Sequence, residues 1–167
     1  METTTMEPLR SADLSRALIN ASRKEATSLK VPFDLETVPW ERLDYLGFSD
    51  PKSPQRAYLF VPVDQQVIGA ILRVTPASRN QALCSWCEDV TETTGVRMFT
   101  AKRAGAAGRS GNTVGTLLHA DFSCSQHVRR KPTSFEGKHD PDRFMADRIT
   151  ALKLHAEQFM RRVSTQV

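Results

Sequence analysis

The sequence predicts one domain of the α+β class, in which two β-hairpins are flanked by helices. Two apolar segments of strand length lie close together in the first half of the chain. Apolar residues also recur every three or four positions from Pro141 to about Val163, which predicts a long helix that Asp140 caps. A length of 167 residues suits a single domain. We expect residues 11–167 to form it and residues 1–10, which are polar, to be disordered.

The composition indicates a globular chain that does not enter a membrane. Hydrophobic residues make up 40% and charged residues 25% of the chain, as in ordinary soluble domains. No stretch approaches the roughly 18 apolar residues of a membrane span. The stretch from Met1 to Leu9 lacks the apolar core of a secretory signal. We therefore expect a cytoplasmic protein.

Two helices are expected before the first hairpin. The first starts at Ser11 or Asp13, either of which could cap it, and runs to about Leu29. The second is short and starts at Pro39, because proline suits the first helical turn. Gly47 would end this second helix.

Two hairpins are predicted. The first joins strands at 57–63 and 67–74, whose nearly continuous apolar character indicates that both of their faces are covered. The second joins strands at 96–101 and 113–118 through a loop of small residues. A short helix at 121–128 is expected to follow it.

A four-donor metal site can be predicted from the spacing of cysteines and histidines. Cys84 and Cys87 are two residues apart, as in a zinc knuckle, and His119 and Cys124 follow at the end of the second hairpin. Knuckle, β-hairpin and helix, in that order, make a treble-clef zinc finger. His127 remains a competitor for the fourth position, because it follows Cys124 at ligand spacing.

Four protein donors leave no open coordination position, so the predicted role of the single zinc ion is structural. The alternative is a redox pair made by Cys84 and Cys87, but such a pair belongs in a thioredoxin-like βαβ unit, which the sequence does not indicate. The chain has three cysteines, an odd and low count that does not resemble a disulfide framework. Neither a catalytic set nor a small-molecule site is indicated by spacing, so we expect a protein that is not an enzyme.

The positive charge is concentrated near the metal site. Residues 97–131 carry seven lysines and arginines against Asp121 alone, a local balance of +6 in a chain of net charge +4. Such a cluster fits an acidic partner, either nucleic acid or an acidic protein face, although it also fits a solvated surface.

Several segments together resemble a known family, and they are 40–58, 83–87, 96–103, 108–116 and 119–125. The chain is similar to the C-terminal treble-clef zinc domain of the elongation factor G-binding proteins, which include the FusB-type fusidic acid resistance proteins. The resemblance covers roughly residues 35–130. The family usually has cysteine where this chain has His119, a change that keeps a zinc ligand. We expect this chain to lack the helical bundle that precedes the zinc domain in the resistance proteins, since residues 11–30 offer one helix.

The resemblance implies a protein that binds elongation factor G on the ribosome and promotes its release. Ribosomal RNA fits the basic segment equally well, and we expect a monomer. The alternative is a zinc-dependent RNA- or DNA-binding module that uses the basic hairpin 97–112 directly. Charge and location suggest the partner contacts, although Phe99 also fits the core. These candidates are Arg97, Phe99, Lys102, Arg103, Arg129, Arg130 and Lys131.

Overall fold

A computed structural model describes residues 5–164 and shows a five-stranded antiparallel sheet in the order β1-β2-β3-β4-β5. The helices lie on both sides of this sheet, so the predicted α+β class is confirmed. Both predicted hairpins are present, as β2–β3 and β4–β5, and they belong to one sheet rather than two. The strands are β1 (Leu46–Asp50), β2 (Ser53–Val63), β3 (Gln66–Val74), β4 (Val96–Lys102) and β5 (Thr113–His119).

The central strand β2 is covered on both faces, as its apolar sequence predicts. Ala57, Tyr58, Leu59, Phe60 and Val61 are at most 1% exposed. Because side chains alternate along a strand, they feed two separate apolar clusters. We call the side that receives Leu59 the helix face, and the side that receives Phe60 the N-terminal face.

The last helix, α5 (Pro141–Ser164), covers the helix face. Its cap is the predicted one, since the Arg143 N–H donates to Oδ1 of Asp140 at 3.1 Å. Within residues 5–164, no helix combines the length and the apolar composition that crossing a bilayer requires. The side chains of α5 that are buried against the sheet are Leu152, Ala156, Phe159, Met160 and Val163.

The first predicted helix is broken in two. Instead of one helix to Leu29, the chain forms α1 (Ser11–Ala17) and α2 (Arg23–Thr27). Between them Leu18 is extended and forms a parallel bridge with Gly69 of β3. The sheet edge therefore competes successfully with helix propensity over residues 18–20.

The break fills a gap in the sheet. Two register positions join β3 to β4 in the described chain, after which the strands separate. The side chain of Asn20 lies in the fork: Nδ2 donates to the carbonyls of Ile71 (2.9 Å) and Lys102 (3.0 Å). Its Oδ1 accepts from the Ile71 N–H at 2.8 Å. One amide side chain thus replaces part of the missing strand pairing.

Gly47 lies in strand β1 and does not end a helix. The preceding helical segment is a single 3₁₀ turn, Trp40–Arg42, and Gly47 pairs with Leu59 in the sheet. The ring of Phe122 packs against it so closely that a Cβ at this position would lie 2.3 Å from Phe122 Cδ1. The prediction was wrong because Gly47 is required by a distant aromatic ring and not by a left-handed cap.

Two helices near the second hairpin also differ from the prediction. The loop between β4 and β5 contains α3 (Gly105–Arg109). The helix expected at 121–128 is shorter, α4 (Cys124–His127), because Phe122 has a positive φ of 56° that interrupts helical geometry.

The N-terminal segment packs onto the sheet from Met6 onwards. Met6 is 3% exposed, and its N–H donates to the carbonyl of Leu43 at 3.2 Å. The expectation of disorder over residues 1–10 is therefore wrong for this stretch, because its apolar side chains complete the N-terminal face. Residues 1–4 lie outside the described residues.

Candidate metal centre

The first half of the site is a tight turn between β3 and β4 that contains Cys84 and Cys87. The Glu88 N–H donates to the carbonyl of Cys84 at 3.0 Å, and Glu88 has a positive φ of 52°. The Ser85 N–H donates to the carbonyl of Leu117 at 2.9 Å, which fastens the turn to β5. Both thiols are thereby held beside the end of the second hairpin.

Trp86, between the two cysteines, anchors the turn in the core. It is 2% exposed, and its Nε1–H donates to Oγ1 of Thr116 at 2.9 Å. Its ring centroid lies 5.0 Å from that of Tyr45 and 5.7 Å from that of Phe159. Burial of so large a side chain fixes the knuckle against α5.

The second half of the site is contributed by the end of β5 and the start of α4. His119 is the last residue of β5, and Cys124 is the first residue of α4. The loop between them turns sharply at Phe122, whose N–H donates to the carbonyl of His119 at 3.0 Å. Strand and helix each supply one donor, as predicted.

The four predicted donors converge at one point. One donor atom from each of Cys84, Cys87, His119 and Cys124 lies within 4.8 Å of the other three, and all four residues are buried. The Sγ atoms of Cys84 and Cys124 are 3.7 Å apart. His119 Nδ1 lies 3.4 Å from Cys87 Sγ and 3.9 Å from Cys124 Sγ. Tetrahedral zinc separates two sulfurs by about 3.8 Å and a sulfur from a nitrogen by about 3.6 Å, so the donor set fits this ion.

The orientation of His119 favours coordination through Nδ1. Its Nε2 lies 2.8 Å from the carbonyl oxygen of Glu92 and donates to it. Burial lowers the pKa of His119, but hydrogen bonds with the Cys84 and Cys87 thiols outweigh burial and raise it to about 10. The same thiol cluster, with Cys124 foremost, holds the pKa of Cys84 well below its usual range. A metal ion at this site therefore competes with protons for the same donor atoms.

His127 stands beside the four-donor set. Its Nδ1 is 3.9 Å from Cys87 Sγ, and its ring centroid is 4.4 Å from that of His119. Burial, followed by the neighbouring charge of His119, lowers its pKa. His119 is the imidazole that lies within range of all three sulfurs, so it takes the fourth position.

Arg129, which is predicted to contact a partner, also supports α4 within the fold. Its guanidinium binds the fully buried carboxylate of Asp44, Nη1 to Oδ2 at 2.6 Å and Nη2 to Oδ1 at 3.1 Å. Lys153 of α5 lies 3.7 Å from the same carboxylate. The Asp44 N–H also donates to Oγ of Ser125 at 3.0 Å. This ion cluster joins the chain just before β1 to both α4 and α5.

Arg130 is likewise held in ion pairs within the fold. Its guanidinium reaches Asp89 at 2.8 Å and Glu136 at 2.9 Å. Burial raises the pKa of Asp89, but Arg130 and Thr91 outweigh it and hold that pKa below its usual range. Arg130 also lowers the pKa of Glu136 to about 2. The acidic loop after Cys87 is thereby fixed to α4 and to the loop before α5.

The remaining residues predicted to contact a partner differ in how far their side chains are exposed. Phe99 is 1% exposed and packs against Phe122 at 5.5 Å between ring centroids, so it belongs to the core. The Arg103 guanidinium donates to the carbonyl of Arg162 in the last turn of α5. Four of the predicted contacts take no part in the ion clusters described above, and their side chains are at least partly exposed. They are Arg97, Lys102, Arg103 and Lys131.

Sequence reasoning missed the carboxylates that support the site. Asp44 precedes β1 and Asp89 follows the knuckle, and both are buried. Arg129 and Arg130, which pair with them, lie more than 40 residues away in sequence, so no local pattern links the partners. The burial of Trp86 could have been predicted from the sequence, because a large apolar residue between two metal ligands is expected to be buried.

Comparison with known proteins agrees with this geometry. The family described as the FBP C-terminal treble-clef zinc-finger matches residues 13–163. A solved structure titled "Structure of the fusidic acid resistance protein FusC" resembles the fold, with a TM-score of 0.54 and 18% identity over 89% of this chain. The present chain spans 59% of that FusC chain. None of the curated protein sequences matches.

The buried donor set and the family match together support one structural zinc ion. Cys84, Cys87, His119 and Cys124 would hold it, and its contribution is to fix the knuckle, the β4–β5 hairpin and α4 relative to one another. That arrangement is the predicted treble clef. The chain belongs to the FBP C-terminal treble-clef zinc-finger family.

Proposed function

We propose that this protein binds elongation factor G and promotes its release from the ribosome, without catalysing a reaction. Membership of the zinc-finger family supports this proposal, as does the likeness of the fold to a fusidic acid resistance protein. Because the chain spans 59% of that structure, the ability to confer resistance to fusidic acid belongs to the proposal as well. A translation factor as partner would place the protein in the cytoplasm.

The main support for a role without catalysis is that the metal centre is buried and has four protein ligands. The four ligands are between 0% and 5% exposed, so no substrate reaches the metal without displacing part of the core. A catalytic zinc ion keeps a coordination position for water or substrate, whereas a set of four protein donors does not. The function therefore resides on the surface that the zinc ion organises.

That surface carries exposed positive charge. Lys102 ends β4, Arg109 ends α3 and Lys131 follows α4, and all three are exposed. Arg97 is partly exposed on the same hairpin. Cations displayed on a rigid hairpin favour docking onto an acidic face of a protein partner, and they accelerate encounter more than they strengthen the final complex.

The same cations favour a second candidate, an RNA- or DNA-binding module that uses the hairpin 97–112. Lys102 and Arg109 lie at opposite ends of the β4–β5 connection, where a phosphate backbone could reach both. Binding of this kind needs no protein partner. Its affinity should fall steeply with salt, by about one power of the salt concentration for each phosphate neutralised.

Titration of the purified zinc-loaded chain into purified elongation factor G, with and without nuclease treatment, tests the proposal. We expect nuclease-resistant binding that weakens in the charge-reversal variant Arg97→Glu/Lys102→Glu. The matched control is Arg23→Glu/Lys24→Glu, which reverses two exposed cations on α2 and should leave binding unchanged. Loss of the complex after nuclease treatment would instead support the nucleic-acid alternative.

Release is measured separately. Ribosomes stalled with labelled elongation factor G and fusidic acid should lose the label faster when the chain is added. The Arg97→Glu/Lys102→Glu variant should accelerate release less than the control variant does. Binding without any acceleration would refute the release part of the proposal and leave the binding part intact.

A further inference from the structure

The metal centre presents a fifth donor beside the four that complete a tetrahedron. His127 Nδ1 lies 3.9 Å from Cys87 Sγ, the same separation as that between His119 Nδ1 and Cys124 Sγ inside the set. The two imidazole rings lie edge to face with their centroids 4.4 Å apart. The His127 imidazole therefore lies directly beside the position that His119 occupies.

Hydrogen bonds give His127 the tautomer of a metal ligand. Asp121 Oδ1 lies 2.5 Å from Ser123 Oγ, and a carboxylate can only accept, so the hydroxyl proton of Ser123 points to Asp121. Ser123 Oγ must then accept at its other contact, from the Nε2–H of His127 at 3.2 Å. In the neutral ring the lone pair is then on Nδ1, which lies on the side of the Cys87 thiol.

This pattern matches that of the ligand already assigned. His119 also donates through Nε2, to the carbonyl of Glu92, and also directs Nδ1 at the sulfurs. Metal-binding histidines characteristically donate the second ring nitrogen to a carboxylate, carbonyl or water, which fixes the tautomer. For His127 the carboxylate of Asp121 acts through one intervening hydroxyl, that of Ser123.

The backbone places His127 where a change of ligand needs no refolding. Cys124 and His127 are three residues apart on α4, so their side chains share one face of the helix. Coordination of zinc by Cys124 would therefore also hold the backbone of His127 close to the metal. Replacement of His119 by His127 would retain three thiolates and one imidazole, so the net charge of the metal centre would not change.

We propose that His127 is a reserve ligand of the zinc ion, which occupies the fourth coordination position when His119 is absent or leaves. This inference concerns the metal centre alone and does not depend on the identity of the partner.

Zinc affinity of single and double variants tests it, measured by competition with a chromophoric chelator. We expect His119→Ala to bind one equivalent of zinc with an affinity reduced about 10-fold or less. This is the low end of the loss of metal affinity seen when a residue that hydrogen-bonds to a ligand is mutated. His119→Ala/His127→Ala should lose more than about 100-fold, beyond that range. His119→Ala/His139→Ala is the matched control, since His139 is exposed, and should behave as His119→Ala does.

Two results would overturn the proposal. One is a His119→Ala protein that binds zinc as weakly as the double variant. The other comes from the unaltered protein, so it does not depend on a variant that folds: imidazole ¹⁵N spectra of the zinc-loaded chain should show His127 protonated at Nε2 and not at Nδ1. A proton on Nδ1 would remove the lone pair on which the proposal depends.

Discussion

Aromatic packing closes the N-terminal face of the sheet, whereas part of the helix face depends on a metal ion. On the N-terminal face, Phe48 lies 5.4 Å from Tyr58, 6.0 Å from Phe60 and 5.5 Å from Phe33 between ring centroids. On the helix face, residues 75–95 form neither helix nor strand, although they supply both knuckle cysteines. The two faces share β2 and β3 but are stabilised by different kinds of interaction.

The difference follows from what each segment can bury. The N-terminal segments bring large apolar side chains, which suffice to order them. The segment 75–95 is largely polar, with Trp86 and the two cysteines as its main buried groups, so it cannot offset the entropy of ordering an irregular chain by packing alone. Metal binding supplies that free energy, and the faces should respond differently to its loss.

Removal of the metal should have the largest effect. Structural zinc contributes about 10–16 kcal/mol of apparent binding free energy in zinc-finger peptides near neutral pH. Chelation, or the variant Cys84→Ser, should abolish hydrogen-exchange protection around the knuckle and α4 while amides of β1 and β2 remain protected. Ser85→Ala, at an exposed position one residue away, is the control. Simultaneous loss of protection in β1 and β2 would show that the faces fold as one unit.

Truncation of the aromatic cluster tests the other face. Phe60 is fully buried, and Phe60→Ala should reduce the free energy of unfolding by about 3–5 kcal/mol. Zinc stoichiometry, measured on the folded protein, should remain one. Phe135→Ala is the matched control, since Phe135 is 95% exposed and should contribute little. A Phe60→Ala protein that loses zinc while still folded would contradict the separation of the two faces.

The Asp44 cluster tests a connection between the regions. Asp44→Ala leaves Arg129 and Lys153 without their buried carboxylate, and removal of one partner of a buried pair costs about 3–5 kcal/mol. We expect the lower end, because both cations are partly exposed. Urea unfolding should show the loss, with Asp147→Ala, at a side chain that is 74% exposed, as the reference. A loss below that of the reference would mean that the cluster does not stabilise the junction.

The Gly47–Phe122 contact should give the smallest effect and the most specific one. In Gly47→Ala the new methyl group would displace the Phe122 ring, at a cost of about 1–3 kcal/mol, and would shift the loop between His119 and Cys124. Zinc affinity should therefore fall, although residue 47 is not a ligand. In the Phe122→Ala background the same change should have less effect. Additive losses in this double-mutant cycle would exclude the coupling.

Local patterns account for what could be predicted from the sequence. The periodicity of α5, the apolar runs of β2 and β3, and the spacing of the four donors each lie within a few residues or follow a recognised order. The failures involve partners that are distant in sequence. Gly47 was read as a helix terminus because Phe122 is remote from it, and the salt bridge of Arg129 was not foreseen because Asp44 is equally remote. The helix break at Leu18 likewise depends on a sheet edge formed much later in the chain.

The chain contains two tryptophans, and the fold assigns one to each face. Trp40 belongs to the N-terminal cluster, and Trp86 lies between the two knuckle cysteines. Each buried indole is thus an internal fluorophore for one region. With Trp40→Phe, the emission of Trp86 would follow the metal centre alone, and with Trp86→Phe the emission of Trp40 would follow the aromatic cluster. Local opening of each half could then be timed separately in solution, without an attached dye.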